Sequence, residues 1–296
     1  MVIVITGPTA VGKTKLSIEL SKHLNGEVIN ADSTQVYRKM NIGTAKVTEE
    51  EKEGVIHHLF DIKDVTDEYT VYDYQKDCRC CIDDILSRGK TPIIVGGTGF
   101  YIKAALYDYN FNDEDTSYNY DEYSNEELYK ELLRVDPNTD IHINNRKRVE
   151  RAITYYRNHN KPMSENKKSD KLLYDTIFIG LTTTRDVLYE RINKRVDKMV
   201  AEGLIEEAKY FYDLKINSRA LLTPICYKEL FMYFDGELTL EEALDLIRQR
   251  SRKYAKRQYT WFNHQLDVKW YEVDFDNFDN TVNRIKKDID KEKMKW

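Results

Sequence analysis

The sequence lacks any apolar run near the roughly 20 residues needed to cross a bilayer. Stretches such as Val2-Ile3-Val4-Ile5 and Pro92-Ile93-Ile94-Val95 are only as long as buried strands. A membrane span is excluded on that ground. Cysteine is scarce, with four residues (Cys78, Cys80, Cys81 and Cys226) in 296, which excludes a secreted disulfide scaffold. Cys78 and Cys81 share a helical register with Val71, Tyr74, Ile82, Ile85 and Leu86, so core packing accounts for them. His57 and His58 alone do not complete a zinc-type ligand set, and no metal cage built of protein ligands is expected. The sequence also lacks a positive balance, its net charge being −5 at pH 7. A surface coated with cations is excluded, and any binding of nucleic acid must rest on local clusters. No leader precedes the first apolar run at Val2; no signal or transit peptide is expected, and a cytoplasmic location follows.

What is present is a globular composition, 41% hydrophobic over 296 residues, enough for one large domain or a domain carrying an insertion. The most informative segment is Gly7-Pro8-Thr9-Ala10-Val11-Gly12-Lys13-Thr14, which has the spacing of a phosphate-binding loop. An apolar run precedes it and a helical pattern follows, the context such a loop requires. Gly7 and Gly12 permit backbone conformations that turn successive N–H groups inward, Lys13 adds a point charge, and Thr14 offers a hydroxyl to Mg²⁺. An anionic phosphate ester is expected there.

Strand and helix alternate over the first hundred residues: strands at 2–5, 27–30 and 92–95, helices at Lys13–Leu24 and Val71–Ser87, the second stopped by Gly89. Short β-branched runs separated by helices predict an α/β fold, a parallel sheet of phosphate-loop type covered by helices on both faces. Ligands gather at the carboxyl ends of strands in such sheets, which places residues 7–14, Asp32 and Thr98 around one crevice. From about Phe111 the character changes to an acidic, tyrosine-dotted stretch (Asp113, Glu114, Asp115, Tyr118, Tyr120, Tyr123). Ser124 and Glu127 then form a capping-box pattern. Residues 113–170 are read as a helical insertion that includes Asp136-Pro137 and the basic helix Arg146-Lys147-Arg148-Val149-Glu150-Arg151, and that runs out in the polar segment 164–170. Residues 1–112 and 171–296 form the catalytic core with its C-terminal helices. A strand is expected at 175–181, and mainly helices after it. The helix Leu240–Gln265 has no acidic residue after Asp245 and carries Arg248, Arg250, Arg252, Lys253, Lys256 and Arg257.

A phosphate loop by itself most often marks a nucleotide-dependent kinase or NTPase. Asp32, in Asn30-Ala31-Asp32-Ser33-Thr34-Gln35, can bind Mg²⁺, accept a proton from a nucleophile, or cap a turn, which is what a lone loop Asp usually does. Its place one strand from the phosphate loop, at the ligand edge of the sheet, favours catalysis. Val95-Gly96-Gly97-Thr98-Gly99 puts three glycines within four residues, the mark of backbone passing close to a ligand or of a tight strand-to-helix connection. Thr98 is the one polar side chain there and is read as a substrate contact. In Tyr254-Ala255-Lys256-Arg257-Gln258-Tyr259-Thr260-Trp261-Phe262 cations alternate with rings. That suits a polyanion with unpaired bases, because phosphates attract Lys and Arg while rings stack on bases. The plainer reading of a charge run is a solvated face.

Six segments, in order, carry a resemblance to a known family. They are residues 7–14; Asp32-Ser33-Thr34-Gln35-Val36-Tyr37; Asn41-Ile42-Gly43-Thr44-Ala45-Lys46; Val95-Gly96-Gly97-Thr98-Gly99-Phe100-Tyr101; Arg191-Ile192-Asn193-Lys194-Arg195-Val196-Asp197-Lys198-Met199; and Lys256-Arg257-Gln258-Tyr259-Thr260-Trp261-Phe262. Over essentially its whole length the sequence resembles the bacterial tRNA dimethylallyltransferases, also called tRNA isopentenyltransferases. The resemblance implies transfer of a dimethylallyl group from dimethylallyl diphosphate to the exocyclic amine of the adenosine immediately 3′ of the anticodon. It implies that the loop from Gly7 to Thr14 holds the diphosphate, with Mg²⁺ at Thr14 and a further contact from Arg195. Asp32 would take the proton, and Thr98 would touch the substrates at the reaction centre. The tRNA anticodon stem-loop would meet Asp32, Ser33, Thr34, Gln35 and Thr98, then Lys147, Arg148, Val149, Glu150 and Arg151, and Lys256, Arg257 and Gln258. A monomer is expected.

The sequence departs from the family pattern at Ile143 and Asn145, where proline and aspartate are common, and at Cys226, where the family has glycine; no role is assigned there. It stops at Trp296 without the zinc-finger extension of eukaryotic relatives, which points to a bacterial enzyme. Three rival readings stand beside this one: an ATP-dependent small-molecule kinase, an enzyme that prenylates free adenine nucleotides, and an RNA-binding protein with a silent loop. The basic clusters at 146–151 and 248–257 favour RNA over a mononucleotide, and intact Lys13, Thr14 and Asp32 disfavour the third.

Overall fold

The computed structural model describes residues 1–109, 118–165 and 171–294. Asp113, Glu114, Asp115, most of the polar segment 164–170, and Trp296 lie outside the described residues. Six strands, β1 (Val2–Thr6), β2 (Gly26–Asn30), β3 (His57–His58), β4 (Thr91–Val95), β5 (Thr176–Thr182) and β6 (Lys269–Glu272), form one sheet in the order β3-β2-β4-β1-β5-β6. Every pairing is parallel. Val2, Ile3, Val4 and Ile5 are each 0% exposed, so β1 needs cover on both faces, and the crossover helices of a parallel sheet supply it. The α/β class expected from the sequence is the observed one. β3 and β6 escaped sequence reading because two and four residues are too few to display a period.

The helices are α1 (Lys13–Leu24), α2 (Glu49–Lys52), α3 (Val71–Ser87), α4 (Gly99–Leu106), α5 (Asn125–Val135), α6 (Arg146–His159), α7 (Arg185–Ala201), α8 (Leu204–Asp213), α9 (Arg219–Leu222), α10 (Tyr227–Phe234), α11 (Leu240–Gln265) and α12 (Phe278–Lys293). Most begin in ordinary ways. Thr70 with Asp73, Ser124 with Glu127 and Thr239 with Glu242 form capping boxes at α3, α5 and α11, which satisfy N–H groups that a helix start leaves unpaired. α1 follows Gly12 and has no side-chain cap, as is also true of α6, α7, α8, α9 and α12. One core cluster joins Ile3 and Ile5 of β1, Leu16 and Leu20 of α1, Ile179 and Leu181 of β5, and Val282, Ile285 and Ile289 of α12.

The chain divides into two compact units, Met1–Leu106 with Leu172–Trp296, and Tyr107–Lys171. The expected boundaries at 112/113 and 170 fall outside the described residues. The smaller unit has its own core of Tyr120, Leu128, Leu132, Ile141, Val149, Ala152 and Ile153, built mainly by α5 and α6. No helix among the described residues is long and apolar enough to cross a membrane.

One buried charge ties three strands and a helix end together. Glu27 on β2 is 1% exposed, and its carboxylate accepts hydrogen bonds from Arg88 Nη1 at 2.5 Å, Arg88 Nη2 at 2.8 Å and Lys90 Nζ at 2.7 Å, with His58 Nε2 at 2.7 Å. The Arg88 guanidinium foremost, then Lys90 and His58, hold the carboxyl far below the usual carboxylate range against the opposing effect of burial. A depressed carboxyl contributes stability above its unfolded-state value of about 4.5, and that contribution shrinks as pH falls below it. Glu27→Gln is expected to cost about 2–3 kcal/mol at neutral pH, because one neutral amide replaces an acceptor of four charge-assisted bonds. Urea unfolding of both proteins checks this: the gap between them should be full at pH 7 and narrow toward roughly pH 3.5.

Candidate active site

Loops leaving the carboxyl ends of β1, β2 and β4 line a crevice of about 730 Å³. On the β1 side, Gly12 adopts φ 97° and α1 begins without a side-chain cap. Its first-turn N–H groups and the positive end of its dipole are therefore left for an anion. Ala10 is also left-handed, at φ 67°, so the loop alternates handedness as a nest of N–H groups does. A Cβ at Gly12 would lie 2.8 Å from the Phe278 ring, which closes that position to other residues. Val11 turns inward and is fully buried. Lys13 Nζ donates to Gly7 O at 3.0 Å and Pro8 O at 2.7 Å. Withdrawal from solvent, then the neighbouring Arg195, pull its ammonium down to about 7, with Asp32 opposing. A phosphate oxygen arriving at Nζ favours the charged form. Thr14 is exposed at the crevice, and its hydroxyl has no hydrogen-bond partner among the described residues.

On the β2 side, Asn30 fixes the start of the next loop by accepting the Asp32 N–H at 2.9 Å. Asp32 Oδ1 in turn accepts from Thr34 N at 2.9 Å and Thr34 Oγ1 at 2.7 Å. Oδ2 has no such partner among the described residues, and Asp32 lines the crevice. Thr98, at the start of α4, accepts the Ser33 N–H at 3.1 Å, and Ser33 is the residue at the crevice wall. The Gln35 amide donates to Thr44 O at 3.0 Å and Ala45 O at 3.2 Å. The turn ahead of that contact is anchored by Glu207 of α8, whose carboxylate accepts the N–H groups of Asn41, Ile42 and Gly43 at 2.9, 2.8 and 2.8 Å.

The opposite wall comes from α7 and α11. Arg191 Nε donates to Ala10 O at 2.9 Å and Arg195 Nη1 to Thr9 Oγ1 at 2.7 Å. Their i, i+4 spacing puts both on one helix face, toward the phosphate loop. Arg191 opens the matching segment 191–199, but the sequence assigns it no role. Tyr254 lines the crevice, and burial together with the Asp32 charge pushes its phenol well up. Six cations line the space (Lys13, Arg191, Lys194, Arg195, Lys198 and Arg257) against the single carboxylate of Asp32. That balance selects for an anionic ligand.

α11 corrects part of the sequence reading. Arg248 pairs with Asp197 at 2.8 Å and Asp245 at 2.7 Å, Arg250 with the buried Glu229, and Arg252 with Asn193 at 2.7 Å. These three join helices within the protein, whereas Lys256 and Arg257 are exposed. Tyr259 is 40% exposed, but two other rings face inward, Phe262 being fully buried and Trp261 packing over Gly99. They are not free to stack on bases. Gln258, expected at the RNA, is 6% exposed, with both ends of its amide bonded inside the protein. In the smaller unit Lys147, Arg148 and Arg151 are exposed on α6, but Val149 is 1% exposed in that unit's core and Glu150 pairs with Arg146 at 2.6 Å. The helical period places Val149 on the buried face, which a basic run conceals. Cys226, where the family has glycine, stands at φ 106°; a positive φ is the reason glycine suits this position. Burial pushes its thiol up to about 12.

Residues 35–265 match the family model for IPP transferase. The tRNA dimethylallyltransferase of Anoxybacillus flavithermus is 49% identical over 293 residues, covering 96% of this chain and 94% of that protein; that of Bacillus subtilis is 47% identical over 284 residues. The crystal structure of a tRNA isopentenylpyrophosphate transferase from Staphylococcus epidermidis superimposes with a TM-score of 0.75 at 41% identity, covering 98% of this chain and 99% of that one. That of a eukaryotic dimethylallyltransferase acting on tRNA gives 0.86 at 31% identity, covering 96% of this chain and 76% of that one. The likeness to these proteins runs along nearly the whole sequence, and the chain belongs to the IPP transferase family.

Proposed function

We propose that this protein transfers the dimethylallyl group of dimethylallyl diphosphate to the exocyclic amine of the adenosine immediately 3′ of the anticodon in tRNA, releasing diphosphate. The observation that carries this reading is Asp32, the one carboxylate among the described residues lining a crevice that also carries six cations. A phosphate hydrolase also uses such a carboxylate, on Mg²⁺ or on water, but the likeness to tRNA dimethylallyltransferases along nearly the whole chain favours a prenyl transfer. A prenyl transfer to an amine needs the carboxylate. The adenine amine is a weak nucleophile because its lone pair is delocalised into the ring, so a proton acceptor that acts as the bond forms lowers the barrier.

The roles follow from position. The uncapped start of α1, Lys13 and Arg195 receive the diphosphate and stabilise the negative charge that grows on it as the allylic C–O bond breaks. Thr34 holds Asp32 Oδ1, leaving Oδ2 to take the proton from the amine as the C–N bond forms. Ser33, held by Thr98, shapes the wall beside it. The free hydroxyl of Thr14 fits a Mg²⁺ ion shared with diphosphate oxygens, the mode in which this cation is bound by few protein groups plus phosphate. When bound, the ion adds charge neutralisation to the leaving group. The adenosine must leave its stack to reach Asp32, and a loop nucleotide is cheaper to extrude than a paired one. Lys147, Arg148, Arg151 and Lys256 are the exposed cations we assign to tRNA phosphates.

The direct check is to incubate the protein with dimethylallyl diphosphate and bulk tRNA and to look by mass spectrometry for isopentenyladenosine; tRNA left unmodified sinks the reading. Two variants separate the roles. Lys13→Ala is expected to weaken dimethylallyl diphosphate binding about 10- to 100-fold, the loss of a charge-assisted contact. Asp32→Ala should slow single-turnover transfer about 10²- to 10⁴-fold with both substrates saturating; an unchanged rate removes Asp32 as the base. For the RNA, Arg148→Ala combined with Lys256→Ala should flatten the plot of log tRNA affinity against log salt by roughly 0.7–0.9 per lost phosphate contact. Dimethylallyl diphosphate affinity should stay within about twofold, since neither side chain lines the crevice. Titrations at several salt concentrations decide it.

A further inference from the structure

The last rung joining β1 and β4 is the Gly96 N–H donating to Ile5 O at 3.3 Å. Beyond it the two strands part, one into the phosphate loop and the other into the turn that carries Thr98. Gln258 of α11 reaches between them. Its Oε1 accepts the Thr9 N–H at 3.2 Å and its Nε2 donates to Gly97 O at 3.1 Å. The side-chain amide thus accepts from one strand extension and donates to the other, as a peptide unit would if the ladder had one more rung. Space at this point is minimal. A Cβ on Gly97 would lie 2.0 Å from Gln258 Nε2, so the turn can approach the amide only as glycine.

The amide is carried on a fixed support. On the same helix, Phe262 is fully buried, the Trp261 ring lies where a Cβ on Gly99 would be 2.1 Å from it, and Gln265 Oε1 accepts from Lys103 Nζ at 3.1 Å. Both ends of the strut lead into the chemistry. Thr9 is bonded to Arg195 on the diphosphate side. Gly97 precedes Thr98, which holds Ser33, the neighbour of Asp32. Diphosphate cradle and proton acceptor are therefore spaced through one buried side chain.

We propose that Gln258 is a positioning residue, which sets the gap between the diphosphate cradle and the wall bearing Asp32 and so the approach of the amine nitrogen to the allylic carbon. This rests on the transfer reaction proposed above. In that step the C–O pair leaves with diphosphate, the C–N bond forms and the N–H proton passes to Asp32, so spacing on both sides of one carbon must be right at once. A misplacement of about 1 Å in such an arrangement costs about 100-fold in rate while leaving each substrate its own contacts.

Gln258→Leu and Gln258→Glu test this, with wild type as the reference at every pH. Gln258→Leu is expected to slow single-turnover transfer about 10- to 100-fold, with the Kd values for dimethylallyl diphosphate and tRNA each within about threefold of wild type. Gln258→Glu supplies the readout that a packing role would not move. As a carboxylate it repels Gly97 O, but once protonated its O–H donates to that oxygen as the amide does, and burial favours protonation. Its rate relative to wild type should recover as pH falls from about 8 to about 6, while that of Gln258→Leu stays flat. The proposal is overturned by wild-type rates in both variants, or by a loss of tRNA affinity equal to the loss of rate, which would make Gln258 an RNA contact. It is also overturned by a defect that tracks a lowered Tm and vanishes on cooling. A wild-type protein that forms no isopentenyladenosine is a different failure, that of the transfer reading itself, and shows before any variant is compared.

Discussion

The parallel pairing of β1 with β4 and of β4 with β2 is the constraint on which the rest depends. Parallel strands in register end on the same edge, and here Ile5 and Asn30 both stand opposite Val95. The three loops that follow are therefore neighbours before any side chain is considered. The first becomes a phosphate cradle, the second carries Asp32, and the third places Thr98 behind Ser33. An antiparallel arrangement would send these loops to opposite ends of the sheet. Burial on both faces maintains the pairing, because β1 has no exposed side and cannot shift register without carrying apolar residues into water.

Charge is distributed with the same economy of place. The protein carries a net charge of −5, yet the crevice holds six cations and one carboxylate. Acidic residues elsewhere tie down the basic ones that are structural: Asp197, Asp245 and Glu229 hold Arg248 and Arg250, and Glu27 holds Arg88 and Lys90. In the crevice, Lys13, Arg191, Arg195 and Arg257 have no carboxylate partner among the described residues. The field at the reaction centre is set by which cations lack partners, not by how many the helix carries.

Legibility in the sequence followed length and locality. The phosphate loop could be read because all its determinants lie within eight residues and its flanks are long enough to show their periods. α3 could be bounded because Gly89 marks a local stop just past its end. The helix faces were less accessible. Arg250 and Arg257 look alike in a basic run, and only the packing of α10 against α11 shows that one meets a buried glutamate while the other reaches the crevice. Gln258 was read as an RNA contact for the same reason. Its partners, Thr9 and Gly97, are 249 and 161 residues away, beyond what spacing can reveal. Arg191 lies in a matching segment, but its partner is the carbonyl of Ala10, which no spacing reveals.

In the proposed reaction, one crevice aligns an allylic diphosphate and an extruded adenine on either side of a single carbon, with Asp32 at the nitrogen. A crystal structure of the protein with a non-transferable dimethylallyl thiodiphosphate and an anticodon stem-loop RNA measures that alignment directly. The arrangement predicts the diphosphate on residues 7–14, the amine nitrogen roughly 3–3.5 Å from the allylic carbon, and the same nitrogen about 3 Å from Asp32 Oδ2. A diphosphate bound away from that loop, or an adenine whose amine faces away from Asp32, would contradict it.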